Sequence, residues 1–147
     1  MSIPQLAAVY RVGEFYLLHA HKQAPPGFWV GVPPYERLTE DVGDAELGQT
    51  AVDCLGRSRP MVSYQPTRAA QDGELIKAAG FRSRKRFVEA AQMCTLRRDA
   101  ADWSRIRVSG WIKDPRRSAW VPDDKTTEVD GTDLPALGQA IRTVLWR

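Results

Sequence analysis

Residues 5–21 read QLAAVYRVGEFYLLHAH, and this segment predicts an antiparallel β-hairpin. The two runs 5–12 and 15–21 are mostly apolar and include β-branched and aromatic side chains, which are typical of strands. Gly13 and Glu14 separate the runs, and a Gly-X connection suits a type II′ turn because glycine accepts the positive φ at its first position. We therefore expect the sheet to begin at this hairpin.

Residues 22–38 are rich in proline and glycine. They contain Pro25, Pro26, Gly27, Pro33 and Pro34. These residue types interrupt regular structure, so the segment leaves room for one short strand over residues 28–32 and is otherwise predicted to be loop.

Residues 41–57 predict an amphipathic helix. Asp41 or Asp44 can cap its first turn. Apolar side chains recur at helical spacing on one face: Leu47, Ala51, Val52 and Leu55. Gly48 lies on that face although glycine costs roughly 1 kcal/mol of helix propensity relative to alanine. We expect Gly48 to let the helix approach a sheet or another helix closely.

The second half of the chain predicts short helices and further strands. Gly80 ends a helix over residues 72–79, and Ser83 caps a helix over residues 84–91. Strands are predicted over residues 93–98 and 104–108, with one or two more between 110 and 122 and an edge strand over 126–129.

A final helix begins after Thr132 or Asp133, either of which can cap it, and Pro135 fits its first turn. Its apolar stripe consists of Leu134, Leu137, Gly138, Ile141, Val144 and Leu145. Residues 137–139 repeat the Leu-Gly-Gln of residues 47–49. The repeat indicates that both helices pack tightly onto a sheet.

Length and composition favour one folded domain. The chain has 147 residues, of which 43% are hydrophobic and 27% charged, close to the average soluble globular protein and unlike a disordered chain. We predict a single α+β domain over residues 1–147. It has a mainly antiparallel sheet of about five to seven strands packed with three to four helices.

The N-terminal sequence and the cysteines predict a cytoplasmic protein. The first residues carry no basic segment, and the longest apolar runs fall far short of the ~20 residues of a membrane span. We expect no targeting segment. Cys54 and Cys94 form no metal or redox motif, which favours two free thiols in a reducing cytosol.

No residue pattern predicts a catalytic, metal or cofactor site. His19 and His21 project from one face of a strand, but a catalytic zinc needs a third ligand, so hydrogen-bonded, partly buried histidines are the preferred interpretation. The sequence holds no nucleophile elbow and no glycine-rich phosphate loop. We expect a protein without enzyme activity or cofactor.

Charge is segregated along the chain. Residues 73–117 carry 12 basic and 5 acidic side chains, and Trp103 and Trp111 interleave with arginines there. Such a segment could bind single-stranded nucleic acid, which makes a small basic nucleic-acid-binding module the alternative function. No RRM, KH, cold-shock or helix-turn-helix signature is present, and a solvated face explains the charges equally well.

Two segments resemble a known protein family. Residues 39–59 read TEDVGDAELGQTAVDCLGRSR, and residues 79–87 read AGFRSRKRF. They resemble the "E-L-G, then a helix, then L-x-x-S-R" and "A-G-hydrophobic-x-S-x-x-x-F" elements of immunity proteins from contact-dependent growth inhibition systems. The final helix, with Leu137, Gly138 and Ile141, is similar to the closing helix of that family.

The resemblance implies a cytoplasmic protein that binds one toxin. Members of the family neutralise the C-terminal toxin domain, commonly a nuclease, of a large surface effector by covering its active site or substrate path. The implied partner is the cognate toxin domain, with neither a membrane nor a nucleic acid as partner. Leu47, Gly48, Ser58 and Arg59 match the family pattern, and we interpret them as fold residues.

A mixed-charge toxin-binding site is predicted at residues 116–124. Inhibitors of nucleases are often acidic, whereas this chain has a net charge of +3. A proline- and glycine-rich region with an aromatic residue suits an interface anchor. The predicted toxin-binding residues are Arg116, Arg117, Trp120, Asp123 and Asp124. The alternative is that Trp120 belongs to the core and the charges are ordinary surface.

Overall fold

The computed structural model describes residues 4–24, 28–60, 68–114, 116–117 and 119–145. The order of elements is β1 (Gln5–Val12), β2 (Phe15–Ala24), β3 (Phe28–Thr39), α1 (Asp44–Gly56), α2 (Arg68–Ala78), α3 (Arg84–Ala90), β4 (Ala91–Asp99), β5 (Asp102–Asp114), β6 (Ala119–Asp130) and α4 (Leu134–Leu145). The predicted α+β class, with its mainly antiparallel sheet, is confirmed. Within these ranges, no helix combines the length and apolarity that crossing a membrane requires.

The strands form one antiparallel sheet of six strands in the order β3-β2-β1-β4-β5-β6. The predicted hairpin of β1 and β2 lies near its centre, with Val12 opposite Phe15 and Leu6 opposite His21. Gly13 in the turn has a φ of 57°, which confirms the expected positive φ. β2 continues to Ala24, past its predicted end, because β3 pairs with it along that extension.

Residues 33–38 belong to β3, so the predicted loop there is wrong. β3 pairs with β2 alone and lies at the edge of the sheet, where a proline without an N–H leaves no ladder bond unmade. Pairing is interrupted around the cis Pro33–Pro34 peptide and resumes with Glu36 opposite Leu18. The predicted strand over residues 28–32 is confirmed as the first part of β3, and residues 25–27 lie outside the described residues.

β5 and β6 are longer than predicted. β5 joins the predicted strand over residues 104–108 to the segment after residue 110, and β6 joins the predicted strand near Trp120 to the predicted edge strand. The pairing of β5 with β6 shifts in register between Ser109, which lies opposite Thr126, and Trp111, which lies opposite Pro122. Residues 123–125 of β6 fall within this irregularity, and the ladder continues on both sides of it. The edge position of this strand is confirmed.

Helices α1 and α4 cover one face of the sheet and form the main core with it. Asp133 caps α4, because its Oδ1 accepts the N–H of Ala136 at 3.1 Å, as predicted. The fully buried side chains of this core include Val9, Leu18, Leu96 and Ile106 from the strands and Leu47, Leu55, Leu137 and Ile141 from the helices.

Helix α1 begins at Asp44 and not at residue 41, and neither predicted aspartate caps it. Gly43 holds the N-cap position without a side-chain hydrogen bond. Asp41 instead accepts a hydrogen bond from the Thr39 hydroxyl, and the Asp44 carboxylate accepts one from Arg142 Nε at 2.7 Å. Both carboxylates are therefore engaged away from the capping position.

Gly48 and Gly138 lie where α1 and α4 touch. A Cβ on Gly48 would lie 2.1 Å from the carbonyl oxygen of Leu134, and one on Gly138 would lie 2.0 Å from that of Asp44. The contact is reciprocal, because Leu134 begins α4 and Asp44 begins α1. The predicted close approach of Gly48 is confirmed. The shared Leu-Gly-Gln reflects helix against helix, however, and not the predicted helix against sheet.

Helices α2 and α3 cover part of the other face, over a second cluster that includes Tyr10, Leu17 and Phe87. Gly80, with a φ of 87°, ends α2. Its N–H donates to Lys77 O, and the N–H of Phe81 donates to Ile76 O, which together make a Schellman motif. The predicted C-terminal glycine of this helix is confirmed, although α2 starts at Arg68, earlier than predicted.

Ser83 and Ser58 both act as the sequence predicts. Ser83 caps α3, since its hydroxyl accepts the N–H of Arg86 at 3.2 Å, and α3 ends one residue early because Ala91 is extended and begins β4. The buried Ser58 hydroxyl accepts the N–H of Leu6 at 2.9 Å and donates to His21 O at 2.6 Å. Ser58 is therefore a fold residue that joins the segment after α1 to β1 and β2.

Candidate binding face

Helices α2 and α3 cover one part of the second face of the sheet. Where β4, β5 and β6 pass beyond these helices, the described residues leave the face open. The alternation of side chains along β4 and β5 turns the core residues towards α1 and α4 and the intervening residues towards this side. We call it the open face. The residues that define it line a cavity of about 490 Å³: Trp29, Arg97, Arg107, Trp111, Asp123 and Thr126.

The two tryptophans of the open face are held by neighbours on adjacent elements. Trp111 Nε1 donates a hydrogen bond to Thr95 Oγ1 at 3.0 Å, so its polar atom is satisfied within the sheet. The Arg97 guanidinium carbon lies 6.0 Å from the centroid of the Trp29 ring. Both rings are half-buried and leave apolar surface that a partner can cover.

The charged side chains of the open face form a mixed cluster. Arg97 Nε donates to Asp99 Oδ1 at 2.7 Å. Arg107 makes looser ion pairs, with Nη2 3.4 Å from Asp99 Oδ2 and Nε 3.9 Å from Glu128 Oε1. The Arg97 and Arg107 side chains are 38% and 43% exposed, so solvent or a partner can reach both.

Arg116 and Arg117, two of the predicted toxin-binding residues, lie in the turn between β5 and β6. Asp114 organises this turn: its Oδ1 accepts the N–H of Arg116 at 2.9 Å, and its Oδ2 lies 3.4 Å from Arg117 Nε. Both arginines are exposed, and the Arg117 side chain is 77% accessible. They extend from the tip of a long hairpin.

The other predicted residues, Trp120, Asp123 and Asp124, lie on β6. Trp120 is half-buried, and its ring packs against two residues of the second cluster, Tyr10 at 5.5 Å and Phe87 at 5.7 Å between centroids. Asp123 lines the open face, and its Oδ1 accepts the N–H of the exposed Asp124 at 2.7 Å. Trp120 thus packs against the second cluster, while Asp123 faces the cavity.

Trp111 connects these residues. It lines both the cavity of the open face and a smaller hollow that it shares with Lys113 and Trp120. The structure therefore brings Trp120 and Asp123 to one side of the sheet, with Trp111 lining both hollows. Arg116 and Arg117 lie at the hairpin turn that precedes them.

Trp29 and Thr95 line the open face but are not among the predicted site residues. The alternation within the predicted strand over residues 93–98 places Thr95 and Arg97 on one side, which is the signal that the sequence offers. Trp29 carries no comparable signal, because it joins the face through the pairing of β3 with β2, far away in sequence.

The two histidines lie side by side on β2, His19 buried and His21 half-buried. His19 is fully buried, its Nδ1 lies 3.1 Å from Ala20 O, and its ring stacks on Tyr10 at 5.7 Å. The prediction of a hydrogen-bonded histidine is confirmed for His19, although its burial is complete. In the part of the chain that the structure describes, no three His, Cys, Asp or Glu side chains are grouped to hold a metal ion.

Acidification should destabilise the protein through His19. Burial lowers the pKa of His19 from 6.5 to about 4 in the folded chain. The unfolded chain therefore binds the proton first, and stability is lost as the pH falls from 6.5 towards 4, by at most about 1.4 kcal/mol per pH unit. Urea unfolding of the wild type and of His19→Phe, between about pH 7 and pH 5, measures this term. Parallel pH profiles of the two proteins would contradict it.

The two cysteines are buried and unreactive. Burial raises the pKa of Cys54 to about 11 and raises the pKa of Cys94 still further above its ordinary value. Cys54 Sγ also accepts a long hydrogen bond from Arg57 Nη1 at 3.7 Å. Both sulfurs therefore remain protonated near neutral pH and lie out of reach of a substrate.

Two solved structures are similar to this chain over almost its whole length. A protein of unknown function from Neisseria meningitidis is 14% identical, with a TM-score of 0.77, and the match covers 99% of this chain and 96% of that one. A chain of the CdiA-CT/CdiI toxin and immunity complex from Yersinia pseudotuberculosis is 14% identical, with a TM-score of 0.76 and coverage of 98% and 97%. No protein-family model and no curated protein matches the sequence. The fold implied by the resemblance to immunity proteins is confirmed.

Proposed function

We propose that this chain is an immunity protein of a contact-dependent growth inhibition system, which binds and neutralises the toxin domain of its cognate effector in the cytoplasm. One observation carries the proposal: the fold matches a chain of a toxin and immunity complex over 98% of this chain and 97% of that one. The sequence elements at residues 39–59 and 79–87 support the same assignment.

The proposed mode of action is to cover the active site of the toxin. The imidazole of His19 and the thiols of Cys54 and Cys94 are buried. The surface offers tryptophan and arginine instead, the residues that most often dominate the energy of protein interfaces. A contact of ordinary size, about 1,600 Å² in total, is enough to block a catalytic cleft.

The residues proposed to contact the toxin are Arg116, Arg117, Trp120, Asp123 and Asp124. The exposed arginines extend from the hairpin tip, and the two aspartates follow Trp120 on the same strand. We propose that the toxin is a nuclease. The cleft of such an enzyme is basic because it binds phosphates, so the exposed Asp124 would be drawn towards it.

Nucleic-acid binding, the alternative function, receives less support from the open face. Arg97 and Arg107 lie beside Asp99, and Arg107 also lies beside Glu128. These carboxylates would repel a phosphate chain that followed the arginines. Such binding would also fall steeply between about 50 and 200 mM salt, which a titration with RNA or DNA measures.

Co-expression should reveal the function directly. Cells that produce the C-terminal domain of the large exported protein encoded immediately upstream should stop growing, and producing this chain as well should restore growth. The two proteins should co-purify, because neutralisation by occlusion requires a stable complex. The C-terminal domain of an unrelated effector is the control, and this chain should not protect against it.

The outcomes separate the parts of the proposal. If the chain neither restores growth nor co-purifies with the upstream domain, the immunity function is wrong. If it protects but the purified toxin domain cleaves neither RNA nor DNA, only the nuclease assignment is wrong. If the toxin domain remains fully active inside the purified complex, occlusion of its active site is wrong.

A further inference from the structure

We infer that the open face is part of the toxin-binding surface and that an acidic loop of the toxin occupies it. This inference rests on the proposed function and names a site beyond the hairpin tip. The juxtaposition that carries it is that of Trp29 and Trp111 with Arg97 and Arg107 around one cavity of about 490 Å³.

The tryptophans supply a preformed apolar contact. The N–H of Trp111 is already bonded to Thr95, so a partner can cover the ring without leaving that polar atom unsatisfied. The ring is held by its strand and by this bond, and a side chain fixed in advance loses little conformational entropy when a partner binds. The open face therefore has the rigid aromatic anchors that a protein interface requires.

The arginines define the chemistry of the occupant. The two ion pairs of Arg107, at 3.4 and 3.9 Å, are longer than a charge-assisted hydrogen bond of about 2.8 Å. A carboxylate of a partner can therefore form a closer, bidentate ion pair with this guanidinium, and only the long ion pairs to Asp99 and Glu128 are lost. The surrounding segment 73–117, with 12 basic and 5 acidic side chains, also attracts an acidic loop over longer distances.

The carboxylates of the face limit the partner to a single acidic loop. Asp99 lies between the two arginines, Glu128 lies beside Arg107, and Asp123 lines the cavity. A single partner carboxylate at Arg107 meets Asp99 and Glu128 and can replace their weak ion pairs, whereas a run of phosphates along the face would meet all three carboxylates. A protein loop fits these constraints better than a nucleic acid strand.

A pair of neighbouring threonines on β6 gives the sharpest test. Thr126 lines the open face with Arg97 and Arg107, whereas Thr127 lines a hollow beside Ala136 of α4. Both are exposed strand residues, and tyrosine is favoured in strands, so Thr126→Tyr and Thr127→Tyr should both fold. Thr126→Tyr should weaken binding of the upstream toxin domain at least about tenfold by filling the cavity, and Thr127→Tyr should leave it nearly unchanged.

A second pair tests the charge of the occupant. Arg107→Glu should weaken binding at least about tenfold, because it places a negative charge against the acidic loop. Arg82→Glu, in the exposed connection between α2 and α3, makes the same change in net charge outside the open face. It therefore reports how much of the effect is long-range attraction, and it should weaken binding by no more than about threefold at ~150 mM salt.

The inference is tested by measuring the Kd for the toxin domain and the melting temperature of the wild type and of the four variants. Melting temperatures like that of the wild type, with both open-face variants weakened, would support the inference. If the wild type binds and both open-face variants bind equally well, the toxin sits elsewhere and the inference is overturned, while the proposed function stands. If the open-face variants lose binding to single-stranded RNA and keep toxin binding, the face belongs to a nucleic acid and the inference is also wrong. If the wild type does not bind, the proposed function itself fails.

Discussion

Replacing Gly138 with alanine should destabilise the protein by about 3 kcal/mol, the upper end of what overpacking usually causes. The new Cβ would lie 2.0 Å from the carbonyl oxygen of Asp44, 2.7 Å from its carbonyl carbon and 2.9 Å from its Cα. These are backbone atoms of another helix, so no side chain can rotate away and α1 and α4 must separate. Urea unfolding at about 25 °C measures the change.

Gly73→Ala is the matched control for this substitution. Gly73 lies within α2, is exposed, and a Cβ there would meet nothing within 4 Å. Alanine should therefore raise stability by up to about 1 kcal/mol through helix propensity alone. If Gly138→Ala were as stable as Gly73→Ala, the close contact between α1 and α4 would be wrong.

Replacing Arg142 with methionine should also cost about 3 kcal/mol, because four acceptors, three of them part-buried, lose their donor together. Arg142 Nε donates to Asp44 Oδ1 at 2.7 Å, and Nη1 donates to Tyr16 OH at 3.1 Å and to Glu40 O at 3.0 Å. Nη2 donates to Val42 O. Methionine keeps most of the aliphatic stem, so the loss reports the hydrogen bonds and not the packing. Urea unfolding again supplies the measurement.

Arg57→Met is the control for this substitution, because it removes an ordinary surface ion pair by the same change of residue. Arg57 Nη2 lies 3.2 Å from Glu36 Oε1, and both side chains are more than a third exposed. Exposed pairs contribute about 1 kcal/mol or less, so this control should change stability little. Equal losses for Arg142→Met and Arg57→Met would show that the Arg142 network does not hold the start of α1 to α4.

The sequence predicted the elements that a local pattern specifies. The apolar runs on either side of Gly13 and the apolar stripe of the final helix are such patterns, and both the hairpin and the helix are present. The second part of β3, from residue 33 on, was missed because prolines such as Pro33 and Pro34 usually interrupt regular structure, and only the edge position of the strand makes them acceptable. That position is set by strand order, which no local pattern contains.

The candidate site was predictable only in part, for a similar reason. Arg116 and Arg117 are exposed at a turn, as a polar Pro-Arg-Arg segment indicates. The packing of Trp120 against Tyr10 and Phe87 depends on contacts between distant segments. The contact of Trp29 with Arg97 also depends on distant segments, because the two residues become neighbours only in the assembled sheet.

The two sides of β5 differ in how much replacement they tolerate. Ile106 and Val108 are fully buried, so a change there removes core volume. Arg107 and Ser109 alternate with them, contact solvent, and contribute little to the core. Substitutions at exposed positions such as Arg107 should therefore change the chemistry of the open face while the folding free energy stays nearly constant.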